Sequence, residues 1–134
     1  MKKLLIIALL VVGCKNNSTQ PNSLDIIGNW IGVEINRDEF SINMNFTDNT
    51  FLYSSIVGQD TLETMEADYF INHNISPKEI DIIVKSTYVN QILQNSYLGL
   101  ISLGIYQIIS DTLFFAASEP GMTIRPVNFE QGLN

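Results

Sequence analysis

Between residues 40 and 46 apolar and polar side chains alternate strictly: Ile42, Met44 and Phe46 fall on one side, Ser41, Asn43 and Asn45 on the other. A period of two belongs to a half-buried β-strand. Thr47-Asp48-Asn49 is a turn, and the apolar-rich stretch 50–57 after it predicts the second arm of an antiparallel hairpin. The same signals predict further strands over 26–35, 61–71, 79–86, 101–109, 112–117 and 123–129. Gly58-Gln59-Asp60, Asn72-His73-Asn74, Ser110-Asp111 and Pro120-Gly121 separate them. Within 79–86, Ile80, Ile82 and Val84 alternate with Asp81 and Lys85. Residues 88–98 break the pattern: Ile92, Leu93 and Leu98 have weak helical spacing, and a lid, a short helix and an irregular crossover all fit them. Eight short strands at this spacing, with no repeat and no second domain, predict an all-β fold, a single antiparallel eight-stranded barrel. Closure removes exposed strand edges, and a barrel of this size is either filled by side chains or holds one small ligand.

The chain opens differently. Met1-Lys2-Lys3 is basic, and residues 4–12 are an unbroken apolar run of nine. That run is too short for a bilayer span, which needs about 20 residues, and has the length of a secretory signal core. It ends Val11-Val12-Gly13-Cys14. A small residue before the only Cys resembles the lipobox of bacterial lipoproteins. The resemblance implies a signal peptide at 1–13, cleavage before Cys14, and acyl chains on its sulfur and new amino group. Two or more chains anchor a protein stably, at about 0.8 kcal/mol per buried methylene. The polar stretch 15–23 reads as a tether, so the expected organisation is signal 1–13, lipidated Cys14 and tether to 24, and a barrel domain over 25–134. Lys15, rather than Asp, after the Cys leans towards the outer membrane of a Gram-negative envelope.

Charge narrows the partners. Fourteen acidic residues face seven basic ones, which argues against nucleic acid. Removing Lys2 and Lys3 leaves five basic residues, for a net charge of −9, so the acyl chains rather than the protein surface would hold the membrane. One Cys and one His exclude an intramolecular disulfide and zinc sites built from several Cys or His ligands. No cofactor is implied.

Gly28-Asn29-Trp30 resembles the Gly-x-Trp signature that opens lipocalin-like barrels. Gly104-Ile105-Tyr106, Asp111-Thr112-Leu113, Arg125-Pro126 with Phe129, and the segment from Ser76 to Asp81 resemble a family of uncharacterised bacterial lipocalin-like domains first noticed in planctomycetes. The similarity spans residues 26–130. Ser110 stands where that family has Gly, and 88–98 has no counterpart there. The resemblance implies a fold and no activity. It also implies that Trp30 plugs the closed end with Arg125, from the last strand, stacked over it. Gly28 and Gly104 would allow close backbone approach or bending, and Pro126 suits an edge or bulge.

Chemistry is sparse. Glu79 and Asp81 alternate with isoleucines and read as a solvated face. Glu66 and Asp68 share a face with Phe70, the weak basis for a hydrolase. His73 lies in a turn with no nucleophile pattern beside it. Phe46, Phe51, Tyr53, Tyr69, Phe70, Tyr106, Phe114 and Phe115 either line a cavity or fill it. The expectation is therefore a non-catalytic, membrane-anchored module that binds a small apolar or amphipathic ligand. The alternative is a solid barrel acting as an interaction or inhibitor module.

Overall fold

A computed structural model describes residues 9–12, 25–34 and 37–129. Among these residues nine strands form in chain order: β1 (Leu9–Val12), β2 (Gly28–Glu34), β3 (Arg37–Phe46), β4 (Thr50–Val57), β5 (Asp60–Asn72), β6 (Lys78–Val89), β7 (Ile92–Leu93), β8 (Ile101–Ile109) and β9 (Thr112–Ala117). Strands β1 to β6, β8 and β9 pair antiparallel in a ring, with β5 on β6 and β9 on β1 completing it. The two-residue β7 hangs on the end of β6. The chain is all-β, and the lipocalin-like eight-stranded antiparallel barrel expected from the sequence is the architecture it adopts.

The eighth strand is not the expected one. Residues 123–129 form no strand; β1, from the apolar run near the N-terminus, stands between β2 and β9 instead. The physical reason lies in the segment itself. Pro126 has no N–H to give a ladder. Arg125 is fastened to the outside of the barrel by its own bonds, donating to the carbonyls of Ile80 (3.2 Å) and Gly104 (2.7 Å). Phe129 packs against Phe114, with centroids 6.0 Å apart, and against the outward pair Ile105 and Ala116. The segment is a strap over β8 and β9.

The predicted hairpin of 40–46 with 50–57 is present as β3 and β4, with Met44 opposite Tyr53 and Phe46 opposite Phe51. Three further hairpins have two-residue turns that need left-handed backbone. Gly58 supplies it at φ 62°, Asn90 and Gln91 at 50° and 66°, and Ser110 at 54°. The ambiguous stretch 88–98 becomes the end of β6, β7 and a single 3₁₀ turn (Asn95–Tyr97).

One end of the barrel is solid. Ile26, Trp30, Phe46, Tyr69, Ile80 and Tyr106 fill it, all buried. Phe46 stacks on Phe51 (centroids 4.6 Å) and meets Tyr69 edge-on at 89°. Each polar tip there is answered. Trp30 Nε1 donates to the Ile26 carbonyl at 2.8 Å, and the Tyr69 hydroxyl donates to the Thr47 carbonyl. Burial and the Asp48 charge push the Tyr69 hydroxyl up to about 12. Filling this end leaves the interior space at the other.

Candidate functional site

The open end is formed where β5 begins, β6 ends, β8 begins and β9 ends. A cavity of about 240 Å³ lies inside it. Its walls are Met44, Phe51, Tyr53, Met65, Ile82 and Phe115; Glu63, Thr87, Val89, Tyr97, Ser102, Ala117, Ser118, Glu119 and Pro120 complete the lining. Strand alternation explains most of the set, since Glu63 and Met65 occupy the same face of β5 as the buried Ala67 and Tyr69.

Thr87 arrives by another route. Ile80, Ile82 and Val84 point inward on β6, and simple alternation would continue with Ser86. The register shifts at Lys85: Glu66 pairs with Ser86 while its neighbour Ala67 pairs with Val84. This bulge turns Thr87 inward, where it is 3 % exposed. Its Oγ1 is buried without a hydrogen-bond partner among the described residues. Such an orphan costs about 1–3 kcal/mol. The neighbouring hydroxyls have partners: Ser102 donates to the Ser118 carbonyl, and Ser118 donates to the Leu103 carbonyl at 3.2 Å.

The cavity is acidic at its polar side. Burial raises the Glu63 carboxyl above its ordinary value of 4.5. Burial, then the charges of Glu119 and Glu63 and a hydrogen bond to Glu119, raise the Tyr97 hydroxyl. Among the described residues, no Lys, Arg or His lines it. The arrangement suits noncovalent binding of a small molecule with an apolar body and one polar head. Apolar cavities of about 150 Å³ already hold a benzene-sized molecule.

The residues singled out by sequence fall as follows. Cys14 lies outside the described residues. Gly28 has φ 137°, a conformation that favours glycine, with open space around it. Gly104 is the close-approach glycine: an added Cβ would stand 3.0 Å from both the Ala116 carbonyl oxygen and Ile80 Cγ2. Trp30 and Tyr106 are in the solid end, Asp111 is exposed in a turn, and Pro126 is buried outside any strand. The expected stacking of Arg125 over Trp30 is replaced by an outer-face site. There its Nη2 meets Asp81 at 2.5 Å and its Nε lies 3.8 Å from Glu79. Arg125 cannot reach the barrel plug once 123–129 runs outside the wall.

Glu66 and Asp68 also face outward. Lys85 Nζ lies 3.7 Å from a carboxylate oxygen of each, and Phe70 beside them is 62 % exposed. Only Glu66 of the two borders a concavity, an open one shared with Asn43, Leu52, Ser54 and Tyr88. His73 is exposed in its turn. Of the aromatic set, Phe70 and Phe114 are outside, and the other six point inward. Glu63 and Thr87 were not anticipated as site residues. The Met65, Ala67, Tyr69 series carried the signal for Glu63; nothing in the local pattern announced the bulge that turns Thr87.

Comparison with protein-family models, with curated proteins and with solved structures finds no match for this chain.

Proposed function

We propose that this protein is a lipid-anchored binding module of the bacterial cell envelope, which takes a small amphipathic molecule into the open end of its barrel and performs no catalysis on it. The observation that carries the binding is the 240 Å³ cavity, walled by Phe51, Met65, Ile82 and Phe115, with polar groups from Glu63, Thr87, Tyr97, Ser102, Ser118 and Glu119. Small-molecule sites have this composition, an apolar enclosure with a few placed polar groups. The anchoring rests on the sequence, on the basic start, the apolar run and Gly13-Cys14.

Native mass spectrometry of the protein as purified from bacterial envelopes tests the binding. The expected result is an added mass that leaves on denaturation. A folded chain that is empty and takes up no apolar or amphipathic probe overturns it. For the anchor, Cys14→Ser is expected to leave the detergent phase on phase separation; retention there would mean that lipidation does not hold the protein.

A second reading, an interaction module, is favoured by one observation. The hairpin and loop beside the open end expose Ile92 (66 %), Leu98 (64 %), Leu93, Leu100 and Ile101. Grouped apolar exposure marks contact surfaces. Replacing Ile92 and Leu98 with Ser separates the readings. Loss of a co-purifying protein with small-molecule uptake intact would favour the interaction module.

A further inference from the structure

We propose that the head group this cavity accepts is a cation, so that its ligands are small amphipathic amines. The inference rests on the cavity being the binding site and goes further by naming the class of molecule.

Two carboxylates, Glu63 and Glu119, belong to the lining, and among the described residues no basic side chain does. Three cations are engaged elsewhere. Lys78 pairs with Asp25, Lys85 lies near Glu66 and Asp68, and Arg125 is held by Asp81 and Glu79. Glu63 sits partly buried, has no hydrogen bond or ion pair among the described residues, and burial pushes its carboxyl up. An anion in that position is stabilised by a cation brought from outside.

Thr87 is the independent observation. It is 3 % exposed, it belongs to the same cavity, and its Oγ1 has no partner among the described residues. The register sets it beside Glu63: Met65 pairs with Thr87 and Glu63 with Val89, so Glu63 and Thr87 are diagonal neighbours on one face. Diagonal pairs across antiparallel strands are about 7–8 Å apart at the backbone, a gap that one small head group bridges. An ammonium has three donors and no acceptor. It would give one bond to the Glu63 carboxylate and one to Thr87 Oγ1, with Glu119 adding charge at the mouth. A carboxylate head would be repelled by Glu63 and Glu119. A hydroxyl head would satisfy Thr87 but leave Glu63 without a counter-charge. The alkyl or aryl body would lie against Met65, Ile82 and Phe115.

Titration calorimetry of the full chain at pH 7 with n-octylamine, n-octanol and n-octanoate tests the class. The expected order is amine over alcohol by about tenfold or more, with the carboxylate weakest. In Glu63→Gln the preference for the amine over the alcohol should disappear. Carboxylate binding as tight as the amine's, or an amine preference that survives Glu63→Gln, overturns the inference and leaves the cavity reading standing. Binding of none of the three overturns both.

Discussion

The Tyr106 hydroxyl donates to Asp25 Oδ1 at 2.8 Å across 81 positions of sequence, tying the turn before β2 to the middle of β8. Lys78 Nζ completes the cluster at 2.7 Å from Asp25 Oδ2. Burial pushes the Asp25 carboxyl up, but the hydrogen bonds from Lys78 and Tyr106 and the Lys78 charge outweigh it and hold the group below its ordinary 3.8. The folded-state value is therefore the depressed one. Its stabilisation is present above pH 3.8 and is lost as the pH falls through the lower folded value. Tyr106→Phe removes one of the lowering bonds. It is expected to cost about 1 kcal/mol near neutral pH, discounted for the partly exposed Asp25, and to flatten the acid limb of stability. Denaturant unfolding of both proteins from pH 6 to pH 2.5 checks this; parallel pH profiles would refute it.

Arg125 acts on the outer wall. Arg125→Ala is expected to lower the melting temperature through loss of its bonds to the Ile80 and Gly104 carbonyls and to Asp81, about 1–2 kcal/mol together. Probe binding in the cavity should be unchanged. Arg125→Lys should rescue little, because an ammonium lacks the fork that reaches two carbonyls and a carboxylate. Thermal melts and one binding isotherm per variant decide it.

Gly104 has no room for a side chain. A Cβ there would also stand 3.3 Å from Ala117 Cβ, in addition to its two 3.0 Å contacts. Gly104→Val is expected to destabilise by about 1–3 kcal/mol, the usual range for overpacking, through separation of β8 from β6 and β9. Faster amide exchange confined to β6, β8 and β9 in the variant would show the mechanism.

Ser110 holds φ 54° at the first turn position between Ile109 and Thr112. A left-handed residue other than glycine bears about 1–2 kcal/mol of strain, and glycine gives back about 0.5–1 in chain entropy. Ser110→Gly should therefore stabilise by about 0.5 kcal/mol, visible as a higher denaturation midpoint with an unchanged slope.

The barrel was legible because alternation is local: Ile42, Met44 and Phe46 announce their strand without knowledge of its neighbours. The β3–β4 hairpin was legible for the same reason, from Thr47-Asp48-Asn49, whereas Gly58-Gln59-Asp60 marked only a break. The plug was half legible. Trp30 lies buried in the solid end, but what it contacts depends on where 123–129 runs, and that is decided by bonds from Arg125 to Ile80 and Gly104 far off in sequence. The site was the least legible part. Thr87 turns inward only through the bulge at Lys85, a consequence of pairing between β5 and β6 rather than of composition.

The ring closes through Leu9–Val12, which also lie in the stretch expected to be removed as a signal peptide. Those two roles exclude one another in one molecule. With β1 absent, seven ring strands remain, and an odd number leaves β2 and β9 parallel across the gap, since β1 runs antiparallel to both. A chain cut before Cys14 is therefore expected to expose two ladder edges, along Val33–Gly32 on β2 and Leu113–Thr112 on β9, where β1 now pairs. Amide exchange of the full chain against a chain lacking residues 1–13 measures this. Faster exchange at those edges, with the β3 to β6 wall unchanged, is the expected outcome. Protection that persists there would mean another segment has entered the slot. Residues 123–129, which follow β9 after the short connection 118–122, are one candidate, although Pro126 would leave one bond of the new ladder unmade.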